Sequence, residues 1–215
     1  MSHFLSDFSN LCVFGGTSEG KSTWTRHLIE EADNLFPTPP SKIHFVFQFM
    51  DDDLKTLQQN VPNMTVSEKV PSESELYDLT ANQPHTLLII DDCLDLGSNP
   101  IYCKLLCVLS HHLKMSIVLC CHQMTGAKNW SMIHRNLHTY ILMSSVKNNC
   151  VLMQLGRLTG NYKFLKEIFR DINMTQGPFS YLVINVAPQH DTKLRYVSSI
   201  FKQDKHPPII YSETM

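Results

Sequence analysis

The chain alternates short apolar runs with segments in which apolar and polar residues recur at helical spacing. Runs typical of buried strands fall at residues 11–14, 42–48, 86–90, 115–121, 138–143 and 179–186, with a weaker one at 63–70. Segments with helical spacing fall at residues 22–31, 51–60, 72–80, 100–113, 149–158 and 162–172. Strands that alternate with helices are typical of a mostly parallel sheet with helices on both faces, so the pattern predicts an α/β fold.

The same pattern predicts one domain. No internal repeat and no low-complexity linker interrupts it, and residues 125–135 are expected to form a loop with one helical turn. We place the domain at residues 1–201. Residues 202–215, which contain Pro207-Pro208, are expected to form an irregular tail, because proline interrupts both helices and central strands.

Two predicted helices begin with capping signals. Asp51-Asp52-Asp53 opens one of them, where acidic side chains suit the helix dipole, and Ser72 is followed by Glu75 at the start of another. An acidic triplet can also suggest a metal site, but its position at a helix start favours the capping interpretation.

The first predicted strand is followed by the segment Gly15-Gly16-Thr17-Ser18-Glu19-Gly20-Lys21-Ser22. This segment matches G-x-x-x-x-G-K-[ST], the phosphate-binding P-loop, and the helix predicted after it would direct its positive dipole end at the phosphates. In such a loop, Lys21 reaches the β- and γ-phosphates and the Ser22 hydroxyl binds Mg²⁺. The sequence therefore predicts a site for ATP and Mg²⁺, and a glycine-rich turn between two ordinary elements is the alternative. The predicted nucleotide-binding residues are Gly15, Gly16, Thr17, Ser18, Glu19, Gly20, Lys21, Ser22 and Thr23.

The strand predicted at residues 86–90 ends in the acidic pair Asp91-Asp92. An aliphatic run followed by an acid has the Walker B form. Because parallel strands end at the same edge of a sheet, Asp91 is expected to bind the Mg²⁺ that Ser22 also contacts. Asp92 is expected to orient or deprotonate the attacking water, and a second acid in this role favours hydrolysis over transfer to a bound acceptor.

Polar residues also follow the strand predicted at residues 115–121. Gln123 is expected to point toward the γ-phosphate, where it would sense that group or place the water. A polar strand end without such a role is the alternative. For His122, the preceding residue, packing or solvent exposure is favoured over catalysis.

Composition narrows the class of protein. Hydrophobic residues make up 43% of the 215-residue chain and charged residues 18%, which is typical of a globular domain. The net charge of −2 gives no overall basic field, so contacts with nucleic acid would come from local basic residues or from a ring pore. No apolar run approaches the ~20 residues that span a bilayer, so no membrane partner is expected.

The cysteines are expected to be reduced. The chain contains 7 of them, an odd number, with no C-x-x-C pair and no signal peptide, which favours an intracellular, reducing compartment over secretion. Cys103 and Cys107 lie one helical turn apart. Packing on an amphipathic helix is favoured for them over a metal site, because no further His or Cys motif accompanies the pair.

Several segments together resemble the poxvirus-type genome-packaging ATPases of the FtsK–HerA group, which occur in large DNA viruses and in virus-like Polinton and adintovirus elements. Besides the P-loop, the similar stretches are residues 40–45, 87–92, 110–118 leading to Gln123, and 179–201. The Walker motifs are shared by many families, whereas the pair His111-His112 before a strand and a glutamine, with the closing segment, is more specific. The resemblance spans most of the chain and implies a RecA-like P-loop NTPase fold.

The chain departs from this family's pattern in its arginines. The family carries an arginine shortly after the glutamine loop, and this chain has Ser131 at that position. The family also often carries a basic–acidic pair after the next strand, and other residues replace that pair in this chain near residues 146–149. Arg157, within the run 154–157, matches a family arginine. The resemblance makes Arg157 the first candidate, and Arg135 the second, for an arginine finger supplied by a neighbouring subunit. A surface arginine is the alternative for each.

The resemblance implies an ATP-hydrolysing DNA translocase that packages viral or virus-like DNA into a capsid. The implied partners are double-stranded DNA, further copies of the chain in a homo-oligomeric ring, and a capsid or portal protein, in the host cytoplasm or nucleus or associated with a virion. Basic residues available for phosphate contacts are Lys114, Lys128, Arg135, Lys147 and Lys163. Two alternatives stay open: a nucleotide or nucleoside kinase, against which the lack of an arginine-rich lid segment counts, and a nucleotide-binding module with weak hydrolysis.

Overall fold

A computed structural model gives the structure of residues 3–92, 99–123, 129–144, 149–188 and 190–212. Within these ranges the strands form one nine-stranded sheet in the order β3-β2-β4-β5-β1-β6-β7-β8-β9. The strands are β1 (Asn10–Phe14), β2 (Lys42–Val46), β3 (Met64–Ser67), β4 (Thr86–Ile90), β5 (Met115–Cys121), β6 (Thr139–Met143), β7 (Tyr181–Asn185), β8 (Tyr196–Ser198) and β9 (Ile209–Tyr211).

The helices connect these strands. They are α1 (Lys21–Glu30), α2 (Ala32–Leu35), α3 (Asp52–Asn60), α4 (Glu73–Thr80), α5 (Pro100–Lys104), α6 (Ser110–His112), α7 (Trp130–Arg135), α8 (Asn149–Thr159) and α9 (Tyr162–Thr175). A π-helical segment, Leu105–Leu109, joins α5 to α6, and a 3₁₀ turn, Thr192–Leu194, precedes β8. None of the helices in the described ranges is long and apolar enough to cross a bilayer.

The first six strands of this order, β3, β2, β4, β5, β1 and β6, are parallel to one another. Their apolar runs are buried because both faces of the sheet are covered. In β1, for example, Leu11 and Val13 pack with α1, α2 and α3 on one face, whereas Cys12 and Phe14 pack with α4, α5, α7, α8 and α9 on the other. The predicted mostly parallel sheet with helices on both faces is confirmed.

The sheet continues beyond β6 with antiparallel strands. β7 pairs with β6, β8 with β7 and β9 with β8, all antiparallel. The tail at residues 202–215 was predicted to be irregular, and that prediction is wrong for β9, which follows Pro207-Pro208 and pairs with β8. Proline directly before an edge strand removes no ladder hydrogen bond, so it does not prevent this pairing.

Both capping predictions are confirmed. The Asp51 carboxylate accepts a hydrogen bond from the Leu54 N–H at 2.7 Å and begins α3, and Arg26 forms ion pairs with Asp51 and Asp53. Ser72 and Glu75 form a capping box at the start of α4. The acidic run at residues 51–53 therefore serves a helix start.

Candidate nucleotide-binding site

The loop between β1 and α1 is shaped to surround an anion. Ser18 and Gly20 adopt left-handed backbone angles, with φ values of 61° and 100°. A Cβ at Gly20 would also be crowded, since it would lie 3.1 Å from the Cδ1 of Phe179 and 3.1 Å from the Cε of Met143. Gly20 precedes α1 without any side-chain cap, so the first N–H groups of this helix are available to a ligand.

A cavity of about 310 Å³ opens in front of this loop. It is lined by Gly16, Ser18, Gly20, Lys21, Ser22, Thr23 and Phe179. Backbone amides, a hydroxyl and an ammonium group around a space of this size suit the phosphates of a nucleotide. The structure therefore gathers most of the predicted nucleotide-binding residues at one cavity.

Lys21 is buried and held by its own loop. Its ammonium lies 3.0 Å from the Gly15 carbonyl oxygen and 3.1 Å from that of Gly16, and donates hydrogen bonds to both. The same ammonium lies 3.4 Å from each ring nitrogen of His122. A cation fixed at the mouth of the loop is placed to receive the β- and γ-phosphates.

Glu19 supplies an anion to the same loop. Its carboxylate accepts a hydrogen bond from the Gly16 N–H, and a Cβ built on Gly16 would lie 3.1 Å from this carboxyl group. The Gly16 amide is thus already bound to a carboxylate oxygen. A phosphate entering here would take over the amide that Glu19 now occupies.

The acidic pair lies at the carboxyl end of β4. The Asp91 N–H donates to the Val46 carbonyl oxygen at 2.9 Å, which continues the pairing of β4 with β2. Burial, and then the neighbouring Asp92 carboxylate, raises the pKa of Asp91. Asp92 adopts a left-handed backbone, with φ of 52°, and its carboxylate lies 2.6 Å from Nε2 of His122.

His122 links the two Walker segments. A lysine ammonium can only donate hydrogen bonds, so the imidazole beside it accepts from Lys21 through one nitrogen and donates through Nε2–H to Asp92. A chain of contacts from Lys21 through His122 to Asp92 therefore joins β1, β5 and β4 at one edge of the sheet.

The residues at this edge fit Mg²⁺. Ser22 is exposed in the first turn of α1 and Asp91 is half-buried, and a hydroxyl and a carboxylate are the hard oxygen ligands that Mg²⁺ prefers beside phosphates and water. Desolvation of the Asp91 carboxylate is a cost that a bound cation would relieve. Within the described ranges, no group of three or more His, Cys, Asp or Glu residues is arranged to bind a metal by itself, at Cys103 and Cys107 or elsewhere.

Other predicted site residues are not brought into this cavity. Gln123 is exposed directly after His122, and residues 124–128 lie outside the described residues. Arg157 on α8 and Arg135 at the end of α7 are exposed, and neither lines the phosphate cavity. The sensor and arginine-finger roles stay predictions.

Two residues at the site were missed or set aside by sequence reasoning. His122 was interpreted as packed or solvent-facing, although its position directly after a central strand was a signal for the site edge. Phe179 lines the cavity while 61% exposed, with φ of 63°, and nothing in the sequence indicates that backbone angle.

Neither a family model nor a curated protein matches this sequence. Among solved structures, a KaiC-like protein from Pyrococcus horikoshii OT3 is similar over 96% of this chain and 91% of its own, with 12% identity and a TM-score of 0.50. EssC (ATPases 2 and 3) from Geobacillus thermodenitrificans is similar over 62% of this chain, with 15% identity and a TM-score of 0.44. EccC (ATPases 2 and 3) from Thermomonospora curvata, in complex with a signal sequence peptide, is similar over 63%, with 13% identity and a TM-score of 0.43.

These likenesses differ in extent. The chain spans only 32% of the EssC chain and 30% of the EccC chain, and TM-scores below 0.5 do not establish a shared fold. The KaiC-like protein matches nearly end to end, over 96% of this chain and 91% of its own. The chain has the α/β fold of RecA-like P-loop ATPases.

Proposed function

We propose that this chain hydrolyses ATP with Mg²⁺ at the P-loop cavity, with Asp92 connected to Lys21 through His122. The observation that carries the proposal is the contact between the two Walker segments. The Lys21 ammonium lies 3.4 Å from His122, and His122 lies 2.6 Å from Asp92. A phosphate-binding cation and a carboxylate that can orient water therefore stand on the two sides of one imidazole.

Each residue has a role in this reaction. The loop amides and Lys21 bind the phosphates, and Lys21 exchanges the carbonyls of Gly15 and Gly16 for phosphate oxygens. Ser22 and Asp91 would hold Mg²⁺, which supplies charge neutralisation on the phosphates when it is bound. Asp92 orients the attacking water.

His122 is a positioning residue in this proposal. Its Nε2–H fixes the Asp92 carboxylate, and its other ring nitrogen holds Lys21 until a nucleotide enters. Once Lys21 moves to the phosphates, that nitrogen is free to accept a hydrogen bond from water. Loading of the P-loop and orientation of the water are thereby linked through one side chain.

We extend the proposal to a DNA translocase that packages viral or virus-like DNA, acting as a homo-oligomeric ring with a capsid or portal protein inside a host cell or virion. Its support is the resemblance of residues 40–45, 110–118 and 179–201 to packaging ATPases of the FtsK–HerA group. Arg157 and Arg135 are exposed, as a finger reaching a neighbouring subunit would be.

Basic side chains for DNA are available on the surface. Lys114, Arg135 and Lys163 are exposed, whereas Lys128 and Lys147 lie outside the described residues. Contacts of this kind with phosphates carry no sequence information, which suits a motor that must move any duplex.

The test is phosphate release from ATP by the purified chain, with and without duplex DNA, with oligomer size measured in parallel. We expect Mg²⁺-dependent turnover, its stimulation by DNA, and assembly into a ring. Turnover without stimulation by DNA would contradict the translocase and leave the ATPase. ATP binding without hydrolysis, even in assembled rings with DNA, would contradict the ATPase and indicate a binding module. Phosphoryl transfer to nucleosides would identify a kinase instead.

A further inference from the structure

A second cavity adjoins the phosphate cavity. It holds about 170 Å³, and Gly20, Thr23 and Phe179 line both cavities. Its other walls come from α1, which contributes Trp24, from the end of the segment before β7 together with Tyr181, the first residue of β7, and from the segment after β8, which contributes Phe201 and Asp204. A ligand whose phosphates fill the first cavity can extend past Thr23 into the second.

The floor of this second cavity is aromatic. The Phe201 ring packs edge-on against Trp24, with ring centroids 5.4 Å apart, and lies 5.6 Å from the ring of Tyr181. Trp24, Tyr181 and Phe201 are buried. A rigid apolar floor of this kind suits a flat heterocycle better than it suits a sugar or a peptide.

Phe179 is an exposed aromatic held in an unfavourable backbone conformation. Its side chain is 61% exposed, its φ is 63°, and it lies against Gly20 of the P-loop. A bulky residue at positive φ costs stability, and this ring recovers little of that cost by burial. Strained residues of this kind cluster at ligand sites.

Asp204 gives the cavity a fixed acceptor. One of its carboxylate oxygens, Oδ2, accepts hydrogen bonds from the Tyr181 hydroxyl at 2.6 Å and from the Phe201 N–H at 2.9 Å. Burial, and then the Asp204 charge, raises the pKa of Tyr181, so its hydroxyl stays protonated and keeps donating. Oδ1 has no hydrogen-bond partner among the described residues and is free to accept from a ligand.

We propose that this second cavity binds the base of the nucleotide, and that the base is a purine with an exocyclic amino group, as in ATP. Phe179 stacks on the base beside Gly20, and Asp204 Oδ1 accepts a hydrogen bond from the amino group. The inference rests on the proposed function, because the phosphates of the same molecule occupy the P-loop. It assigns the choice of nucleotide to the C-terminal part of the chain.

The test compares three ligands, each with Mg²⁺, by titration calorimetry on the full chain: ATP, ITP, whose base lacks the amino group, and inorganic tripolyphosphate, which lacks the base. The variants are Phe179→Ala, Phe179→Tyr and Asp204→Asn. Phe49→Ala is the matched control, because Phe49 is 81% exposed and lines neither cavity. Thermal unfolding verifies that each variant is folded.

We expect Phe179→Ala to weaken ATP binding roughly 5- to 140-fold, the range for loss of one stacked base, and to leave tripolyphosphate binding unchanged. Phe179→Tyr should restore ATP binding. Wild type should prefer ATP to ITP, and Asp204→Asn should reduce that preference.

Two results would overturn the base site. One is ATP binding by Phe179→Ala that equals that of Phe49→Ala. The other is an equal loss of ATP and tripolyphosphate binding, which would place the effect of Phe179 in the P-loop. Failure of the proposed function would look different, because the wild-type chain would then bind ATP with the preferences expected here and release no phosphate from it.

Discussion

The parallel and antiparallel parts of the sheet contribute to the site in different ways. The parallel strands all end at the same edge, so the side chains that follow β1, β4 and β5 meet there although they are far apart in sequence. Lys21, Asp92 and His122 contact one another for this reason. The antiparallel strands β7 to β9 run in alternating directions and reach the site through Tyr181 at the start of β7 and through connecting segments, which carry Phe179 and Asp204.

The parallel and antiparallel parts of the sheet therefore have separate roles at the site. The groups that act on phosphate and water come from the parallel part, and the groups that line the second cavity come mainly from the antiparallel part. Substitutions at the parallel edge should therefore lower kcat, whereas substitutions in the connecting segments of the antiparallel part should raise KM and alter the choice of base.

The largest effect is expected from Lys21→Ala. Removal of a positioned donor from developing negative charge lowers kcat by about 10²–10³. The measurement is steady-state ATP turnover at saturating Mg²⁺. Lys55→Ala, which removes an exposed lysine from α3, is the control and should retain full turnover. A Lys21→Ala enzyme with normal kcat would show that the parallel edge is not where the chemistry occurs.

Stability should also differ between the two parts of the sheet. Leu88 in β4 is 1% exposed within the core, so Leu88→Ala should lower the free energy of unfolding by about 3 kcal/mol. Ile210 in the edge strand β9 is 49% exposed, and Ile210→Ala should change the free energy of unfolding by less than about 1 kcal/mol. Denaturant unfolding of both variants measures the difference. Equal losses would show that β9 is as strongly packed as the central strands.

A smaller effect on turnover is expected from His122→Ala. Loss of a hydrogen bond to a charged group, here the Asp92 carboxylate, should lower kcat roughly 10- to 100-fold with little change in KM. His112→Ala removes an exposed histidine from α6 and should have no effect. Unchanged kcat in His122→Ala would mean that Asp92 does not need this partner for catalysis.

The smallest effect concerns pH. Burial lowers the pKa of His44, His85 and His138, all in or beside the parallel part. The unfolded chain then binds protons more readily than the folded one, so stability should be full above pH ~6.5 and should fall as pH drops below it. The free energy of unfolding should fall by at most about 1.4 kcal/mol per pH unit for each proton that the chain takes up on unfolding.

Unfolding free energies at pH 7 and pH 5.5 measure this dependence. His44→Gln should reduce the slope, because His44 lies buried between the hydroxyls of Thr65 and Ser67. His112→Gln, at an exposed position, should keep the wild-type slope. A wild-type protein with equal stability at both pH values would contradict the burial of these histidines.

The two parts of the sheet also differ in how far the sequence predicts them. Residues 86–90 and 115–121 coincide with β4 and β5, because a strand buried on both faces is a continuous apolar run. β8 and β9 have three residues each, too few to show any periodicity, and both were missed. The antiparallel pairing of β7 was missed as well, since an apolar run does not indicate strand direction.

The candidate site follows the same division. Lys21 was predicted from the phosphate-binding motif, and Asp91 and Asp92 from an apolar strand that ends in acids, because each of these two motifs is local in sequence. The contact of His122 with Lys21 depends on side-chain directions, which strand order alone does not give. Phe179 and Asp204 reach the second cavity through backbone conformation and tertiary pairing. The parts of a site that arise from tertiary contacts are the parts that a single sequence leaves out.

The most direct test of the proposed activity is single-turnover hydrolysis of ATP by Asp92→Asn at saturating Mg²⁺, with Asp78→Asn, an exposed aspartate on α4, as the matched control. Asp92→Asn should bind ATP as wild type does and cleave it roughly 10²–10⁴ times more slowly, the usual contribution of a positioned acid or base. Asp78→Asn should cleave at the wild-type rate. Cleavage by Asp92→Asn at the wild-type rate would contradict the role of this carboxylate, and with it the hydrolytic site described here.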